Sequence, residues 1–232
     1  MAGRVAYYGG IVTNGLILNL DAAKQDSYPR TGSVWRDIST QNRTGSLING
    51  PIFGSNNGGN FTLDGVDDYA NLGVFTGLGS SNRTLDVWFQ VIALAPSGVR
   101  RVITFPADDG TNDRPAFMLG YTTTTSSLYM GTGGSPFNGY VTFTSFSLST
   151  WTNAVASVNG SSVSVYKDGV LANTVTNTGL VGADPIGYIG RYNNNYGQYS
   201  NMLIASLKLY NRNLSTQEIT QNYNATKTRF GQ

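Results

Sequence analysis

The sequence predicts an all-β protein, an antiparallel Greek-key or jelly-roll sandwich with one short C-terminal helix. Short runs of alternating or β-branched residues recur along the chain, turn residues separate them, and a single helix signal occurs near the end. No blade-length repeat is visible, which favours a sandwich over a propeller. The 232 residues are enough for one such domain with a sizeable core.

The elements can be assigned in chain order. We expect residues 1–14 to form an N-terminal arm, with Arg4, Tyr7 and Tyr8 as its assembly contacts, and residues 15–232 to form the sandwich domain. The first strand is predicted at residues 15–21, and Trp35 in the following loop is expected to be buried. Further strands are predicted at residues 83–93, 101–105, 116–121, 127–130, 140–144, 186–191 and 202–210.

The clearest local signal lies at residues 151–176. Asn159-Gly160 and Asp168-Gly169 are two-residue turns of the type that needs positive φ, and alternating valines flank each of them. This pattern predicts a three-strand antiparallel meander. Near the end of the chain, Ser215 is followed three residues later by Glu218, which is a capping box and predicts a helix over about residues 215–227.

Two acidic clusters stand out in a chain with few charges. One occupies a tight turn between two short apolar runs, and the other lies in a later loop. They consist of Asp64, Asp67 and Asp68, and of Asp108, Asp109 and Asp113. Either could supply part of the oxygen shell of calcium, the one cofactor that the sequence suggests. Alternatively, these aspartates cap their own turns through backbone amides, with Arg83 or Arg114 as counter-charge.

Composition excludes several classes of protein. Only 12% of the residues are charged, and a net charge of +2 is too small for a dedicated nucleic-acid binder. The absence of histidine and cysteine removes the commonest general base, the commonest transition-metal ligand and the thiol nucleophile. No export signal and no apolar stretch of about 20 residues appears, so we expect a soluble chain without a leader or a membrane span.

Enzymatic activity is not expected, and no catalytic residue is assigned. Glycoside hydrolysis normally needs two carboxyl groups at a defined separation. The single glutamate, Glu218, is accounted for by the capping box. Asp67 and Asp68 are expected to point to opposite faces, as adjacent strand residues do, so they could not both reach one bond.

A sugar site is predicted in a loop rich in tyrosine and asparagine, where rings could stack on sugar faces and amides could bond hydroxyl groups. The same residue types also suit a protein interface. The candidate residues are Tyr192, Asn193, Asn194, Asn195, Tyr196 and Tyr199.

Several separated segments resemble the concanavalin A-like lectin/glucanase superfamily, in its laminin-G-like branch. They are LNLDA at residues 18–22, FTLDGVDDYANLG at 61–73, the spacing from Trp151 to Asn159-Gly160, VYKDGVL at 165–171, IGR at 189–191 and SLKLYNRNLSTQEI at 206–219. The resemblance covers about residues 15–226 and implies an all-β fold, a two-sheet antiparallel jelly-roll sandwich of the concanavalin A-like type. The single-domain format with its Gly- and Tyr-rich arm is also similar to the form found in tailed-bacteriophage structural proteins.

Two functional hypotheses follow. The first is a non-enzymatic bacteriophage virion surface protein, a capsid decoration or tail appendage made in the host cytoplasm. It would assemble with itself and with other virion proteins through the arm, and glycans would be its candidate ligands. The alternative is a calcium-dependent carbohydrate-binding lectin that is not tied to a virion. A glycoside hydrolase is a distant third.

Overall fold

A computed structural model describes residues 10–75, 82–107, 114–131, 140–176, 186–192 and 197–232. These residues form an all-β fold with one α-helix, α1 (Thr216–Thr226), and two 3₁₀ turns at Asn56–Gly58 and Lys227–Phe230. The strands are β1 (Leu16–Asp21), β2 (Val34–Arg36), β3 (Thr44–Ile48), β4 (Ile52–Gly54), β5 (Asn60–Asp64), β6 (Tyr69–Val74), β7 (Arg83–Val91), β8 (Val99–Ala107), β9 (Arg114–Thr122), β10 (Ser127–Gly131), β11 (Tyr140–Ser145), β12 (Thr152–Asn159), β13 (Ser162–Lys167), β14 (Val170–Thr176), β15 (Ile186–Ile189) and β16 (Asn201–Tyr210).

The strands form two antiparallel sheets, which confirms the predicted sandwich. Sheet A has the order β14-β13-β12-β7-β16-β5-β4, and β1 pairs with the C-terminal half of β16. Sheet B has the order β11-β10-β9-β8-β15-β6-β3-β2. The chain crosses between the sheets repeatedly, for example from β5 to β6 and from β15 to β16, as a jelly roll requires. No helix within the described ranges is long and apolar enough to cross a membrane.

The main core fills the space between the two sheets. Phe61 lies near its centre, with its ring centroid 4.7 Å from that of Tyr28 and 4.8 Å from that of Trp35, both in edge-to-face geometry. Trp35 is fully buried, as predicted, although it lies in the short strand β2 and not in a loop. The sequence pattern does not reveal β2, β3 or β4, which have only three to five residues each.

The predicted meander is confirmed, with a shift of one residue at its first turn. Asp168 and Gly169 have φ values of 51° and 77°, so the second turn has the expected positive-φ pair. Asn159 instead pairs with Ser162 as the last residue of β12, which leaves Gly160 and Ser161 as the first turn. Gly160, with a φ of 58°, therefore opens that turn.

The C-terminal segment, which consists of α1 and the 3₁₀ turn after it, packs on the outer face of sheet A. The ring of Phe230 stacks on the indole of Trp88 with 4.1 Å between centroids. Arg229 holds the segment down by donating a 2.6 Å hydrogen bond to the carboxylate of Asp21 and others to two backbone carbonyls. The central strands β7 and β16 of sheet A are therefore buried on both faces, against sheet B on one side and against this segment on the other.

Helix α1 begins at the predicted capping box. The hydroxyl of Ser215 accepts a hydrogen bond from the backbone N–H of Glu218, and the carboxylate of Glu218 accepts one from the backbone N–H of Ser215. Arg212 donates to both oxygens of Glu218, at 2.9 and 2.6 Å. These hydrogen bonds, first those from Arg212, lower the pKa of Glu218 from 4.5 to about 2.

Changing Glu218→Gln keeps the side chain's size but removes its charge. We expect the variant to lose about 1 kcal/mol of unfolding free energy at neutral pH, the usual contribution of a cap or a well-formed ion pair. Because folding lowers the pKa of Glu218, this stabilisation is present above pH 4.5 and is lost as the pH falls to about 2. Urea unfolding of both proteins across this range measures the difference. A difference that stays constant with pH contradicts the prediction.

Candidate functional site

The turn that carries Asp64, Asp67 and Asp68, which we call the acidic turn, joins the two sheets. β5 ends at Asp64 in sheet A, and β6 begins at Tyr69 in sheet B, so the turn forms a corner of the sandwich. Gly65 has a φ of 79°, and a Cβ at this position would lie 2.9 Å from the Cβ of Asn201. Both the backbone conformation and the close approach of β16 therefore require glycine here.

Hydrogen bonds within the turn fix the carboxylate of Asp64. Its Oδ1 accepts from the backbone N–H groups of Val66, Asp67 and Asp68, at 2.8, 3.3 and 3.4 Å. These bonds, led by the one from Val66, lower the pKa of Asp64. The carboxylate of Asp68 accepts from the backbone N–H of Asp64 at 3.2 Å. Burial, together with the charges of Asp64 and Asp67, raises the pKa of Asp68.

The three carboxylates lie close together. One oxygen from each of Asp64, Asp67 and Asp68 lies within 4.8 Å of the others. The expectation that Asp67 and Asp68 point to opposite faces is wrong, because both residues lie in the turn and not on a strand. None of the ion pairs in the described part of the chain involves these aspartates. Arg83, proposed as a counter-charge, packs over the ring of Phe117, 5.0 Å from its centroid.

Calcium therefore remains a prediction, with a partial ligand set to support it. Calcium takes six to eight oxygens, and the three clustered carboxylates could provide about half of them. The turn hydrogen bonds already occupy Oδ1 of Asp64, as the turn-capping alternative predicts. The second cluster, which comprises Asp108, Asp109 and Asp113, lies outside the described residues.

Beside this corner, three tyrosine rings surround one guanidinium group. The Cζ atom of Arg191 lies 4.4 Å from the ring centroid of Tyr69, 5.0 Å from that of Tyr188 and 5.7 Å from that of Tyr199. Arg191 is only 5% exposed, whereas Tyr69 and Tyr199 are half-buried. We call these four residues the tyrosine cluster. Cation–π contacts hold the rings in place while two of them keep part of their surface open to solvent.

Strand alternation places the tyrosine cluster on the outer face of sheet B. Ala70 and Ile189, which are paired neighbours on β6 and β15, belong to the buried core. The adjacent residues Tyr69 and Tyr188 must therefore point away from the core, because successive side chains of a strand face opposite sides. Their ring centroids are 6.1 Å apart. The ring of Tyr199, in the segment that leads into β16, lies 6.2 Å from that of Tyr69.

The predicted sugar loop begins next to this cluster. Tyr192 is 2% exposed, and the guanidinium of Arg101 lies 4.2 Å from its ring centroid, so this ring packs inside the protein. The backbone N–H of Tyr192 donates to the carbonyl of Gly197 at 2.8 Å, which closes the base of the loop. Asn193, Asn194, Asn195 and Tyr196 lie outside the described residues, as do Arg4, Tyr7 and Tyr8 of the predicted arm.

Of the predicted sugar residues, Tyr199 joins the tyrosine cluster. Sequence reasoning missed the other members, Tyr69, Tyr188 and Arg191. One signal was available, because Tyr69 and Asn71 alternate with the apolar residues Ala70 and Leu72, a pattern that points the tyrosine outward. The pairing of β6 with β15 across more than a hundred residues of chain has no such local signal.

The comparisons with known proteins establish the family. Residues 64–220 match the model of a laminin-G-like family, described as the concanavalin A-like lectin/glucanases superfamily. The chain belongs to this superfamily. The resemblance seen in the sequence is thereby confirmed at the superfamily level, although nothing shows the bacteriophage form. No curated protein sequence matches the chain.

Solved structures with a similar fold include a sialidase and a toxin domain. Trypanosoma rangeli sialidase in complex with sialic acid matches with a TM-score of 0.74 and 19% identity, over 97% of this chain and 35% of the sialidase. The binding domain of botulinum neurotoxin serotype D matches with a TM-score of 0.71 and 13% identity, over 92% of this chain and 52% of that domain. The chain thus spans about a third of the sialidase and about half of the toxin domain. At these identities the likeness shows the fold alone.

The prediction of a bacteriophage virion surface protein is wrong. The similar structures reported above are a trypanosomal sialidase and a bacterial toxin domain, and neither is a virion component. The Gly- and Tyr-rich arm and the single-domain format misled the interpretation, because such features are not specific to one class of protein. The virion location and the virion partners depended on that assignment and remain predictions.

Substitutions in the acidic turn compare Asp64, which accepts hydrogen bonds from the turn, with its exposed neighbour Asp67. Asp64→Ala removes an acceptor for three backbone N–H groups, so we expect a loss of about 1–2 kcal/mol of unfolding free energy. Asp67→Ala is the matched control. Its side chain is exposed, and the loss should stay within about 0.5 kcal/mol. Urea unfolding measures both values. Equal losses in the two variants would show that the turn does not depend on Asp64.

A calcium titration tests the predicted metal site. If the turn binds calcium, the ion should raise the melting temperature of the wild type, and a chelator should reverse the rise. Asp67→Ala should abolish the effect without changing the melting temperature in the chelator. Differential scanning calorimetry provides the measurement, with magnesium as a control ion. No calcium-dependent rise at millimolar concentration excludes a calcium site.

Proposed function

We propose that this chain is a non-catalytic glycan-binding module, with its sugar site at the tyrosine cluster and the adjacent acidic turn. The observation that carries the proposal is the pair of half-buried rings, Tyr69 and Tyr199, held against the buried guanidinium of Arg191. Fixed aromatic surfaces with nearby polar groups suit ligands that have both an apolar face and many hydroxyl groups, and sugars have both.

Polar groups suited to sugar hydroxyls lie beside these rings. Asn71 follows Tyr69 on the same face of β6 and is half-buried. Asn49 donates to the backbone carbonyl of Asp67 at 2.9 Å, which ties the end of β3 to the acidic turn. The exposed carboxylates of Asp64 and Asp67 can accept hydrogen bonds from hydroxyl groups. The site would therefore combine ring stacking with acceptors at its rim.

The environment of the carboxylates supports a binding role and not a catalytic one. Opposite pKa shifts in two neighbouring carboxyl groups can mark an acid and a base. Here the turn hydrogen bonds account for the lowered pKa of Asp64, and burial accounts for the raised pKa of Asp68. Both carboxylates also bond backbone N–H groups of their own turn. Each group thus has a structural role that explains its position.

The similar structures fit a recognition module. The T. rangeli sialidase was solved with sialic acid, and the botulinum type G structure is a receptor-binding domain. This chain spans about a third of the first and about half of the second. A sandwich of this size can serve as one part of a larger protein that recognises a target. Fold likeness alone leaves the ligand open, so the proposal depends on the tyrosine cluster.

A glycan array followed by calorimetry tests the proposal. We expect the wild type to bind at least one glycan, and Tyr199→Ala to weaken that binding about tenfold through loss of ring contact. Tyr199→Phe keeps the ring and should stay within about threefold of the wild type. Leu171→Ala, on the exposed edge strand β14 of sheet A, is the matched remote control and should bind like the wild type.

Two outcomes would contradict the proposal. A blank array with folded wild-type protein, tested both with calcium and with a chelator, would remove the glycan-binding function. New reducing ends after incubation with a glycan that the protein binds would instead show that the site is catalytic. The melting temperature of each variant is compared with that of the wild type. If the two temperatures agree, loss of binding in Tyr199→Ala can be assigned to the site and not to misfolding.

A further inference from the structure

A second polar cluster lies on the other side of the sandwich, beneath α1 on the outer face of sheet A. Asp86 in β7 is 2% exposed, and Lys208, its cross-strand neighbour in β16, is almost equally buried. The Nζ atom of Lys208 lies 3.8 Å from Oδ2 of Asp86. Within the described part of the chain, this Nζ has no hydrogen-bond partner. A lysine buried with only one distant acceptor is unusual, because its ammonium group offers three donors.

A side-chain amide meets the same carboxylate oxygen. Asn222 in α1 donates from Nδ2 to Oδ2 of Asp86 at 3.1 Å, so that oxygen faces both the amine of Lys208 and the amide nitrogen of Asn222. The backbone N–H of Val12 donates to Oδ1 of Asn222 at 2.8 Å. A donor at this position polarises the carbonyl and would stabilise negative charge on its oxygen.

The carboxylate itself is held in place from the other side. Asn153 in β12 donates from Nδ2 to Oδ1 of Asp86 at 2.8 Å. The hydroxyl of Tyr210 accepts a 2.9 Å hydrogen bond from Nδ2 of Asn222 and donates one to the carbonyl of Val12 at 3.0 Å. The amine of Lys208 and the amide of Asn222 therefore both face one oxygen of Asp86 and are shielded from water, and holding reacting groups together in this way favours an intramolecular reaction.

We propose that Lys208 and Asn222 form an intramolecular isopeptide bond. Oδ2 of Asp86 first accepts a proton from the ammonium group of Lys208. The neutral Nζ attacks Cγ of Asn222, a C–N bond forms, and the carbonyl electron pair moves to Oδ1, where the N–H of Val12 donates. Asp86 delivers its proton to Nδ2 and accepts a second one from the attacking Nζ. The Cγ–Nδ2 bond then breaks, the carbonyl re-forms, and ammonia leaves with that second proton as an ammonium ion. The reaction needs no oxidant, reductant or co-reactant.

The bond would join the last strand of sheet A to the helix that covers it. It would replace a buried ammonium group by a neutral amide, whose N–H can still donate to Asp86. It would also fix α1 on the sheet covalently, so that the helix could not detach without unfolding β16.

Mass spectrometry of the intact, folded protein tests the proposal. We expect the wild type to be lighter than its sequence mass by one ammonia. Lys208→Arg keeps the positive charge but removes the nucleophile, and Asp86→Asn removes the proton carrier, so both variants should have their full sequence mass. Comparing each variant with the wild type cancels any processing of the N-terminus. After trypsin digestion, the wild type should give a branched peptide that joins residues 192–212 to residues 213–227.

Several results would overturn the proposal. A folded wild type at its full sequence mass shows that no bond forms. Loss of ammonia that persists in Lys208→Arg places the reaction elsewhere in the chain. A branched peptide that contains Asn153 instead of Asn222 shows that Lys208 reacts with a different amide. Loss of water instead of ammonia shows that Lys208 reacts with the carboxylate of Asp86. If Asp86→Asn fails to fold, Asn222→Ala replaces it and should also have its full sequence mass.

Discussion

Asp86 lies in β7, a central strand that is buried on both faces, and the position of the C-terminal segment follows from the need to satisfy its carboxylate. An isolated carboxylate at such a depth would cost several kcal/mol. The strand neighbour Lys208, the amide of Asn153 and the amide of Asn222 surround it. Because Asn222 belongs to α1, the helix must lie in one place to complete the set. The hydrogen bond that Asn222 donates to Asp86 thus determines where the helix packs, and the stacking of Phe230 on Trp88 adds stability.

Sheet B uses arginine in a different way. Arg101 and Arg191 lie on or next to its outer face, and each is at most 5% exposed. Their guanidinium groups lie over the rings of Tyr192 and Tyr69, at 4.2 and 4.4 Å. A guanidinium is planar and weakly hydrated, so it can be buried against an aromatic ring at lower cost than a lysine ammonium. These contacts hold the rings of Tyr192 and Tyr69 against buried positive charges.

The sequence was sufficient to predict the fold class, because its strongest signals are local. The capping box at Ser215 and the turn at Asp168-Gly169 each lie within a few residues and appear in the structure as predicted. Strands β2, β3 and β4 escaped prediction because they have too few residues to show alternation, and their stability comes from pairing with neighbouring strands.

The candidate site was predicted only in part, because most of its members meet through the long-range pairing of strands. Tyr199 was recognised from the composition of its loop, whereas Tyr69 and Arg191 meet only because β6 pairs with β15. The role of Asp86 was equally hidden, since Lys208 and Asn222 reach it from strand and helix positions far along the chain. Long-range pairings decide which polar side chains share an environment, and a single sequence does not display them.

The side chain of Gln221 donates a hydrogen bond to the carbonyl of Gly10, and the backbone N–H of Val12 donates one to the side chain of Asn222. These bonds hold the first described residues against α1, on the outer face of sheet A. Both ends of the described chain, Gly10 and Gln232, lie at the outer face of sheet A, whereas the tyrosine cluster lies on the outer face of sheet B. If that cluster binds glycans as proposed, copies anchored through the outer face of sheet A would present it to one target together, and weak individual contacts would add up to firm attachment.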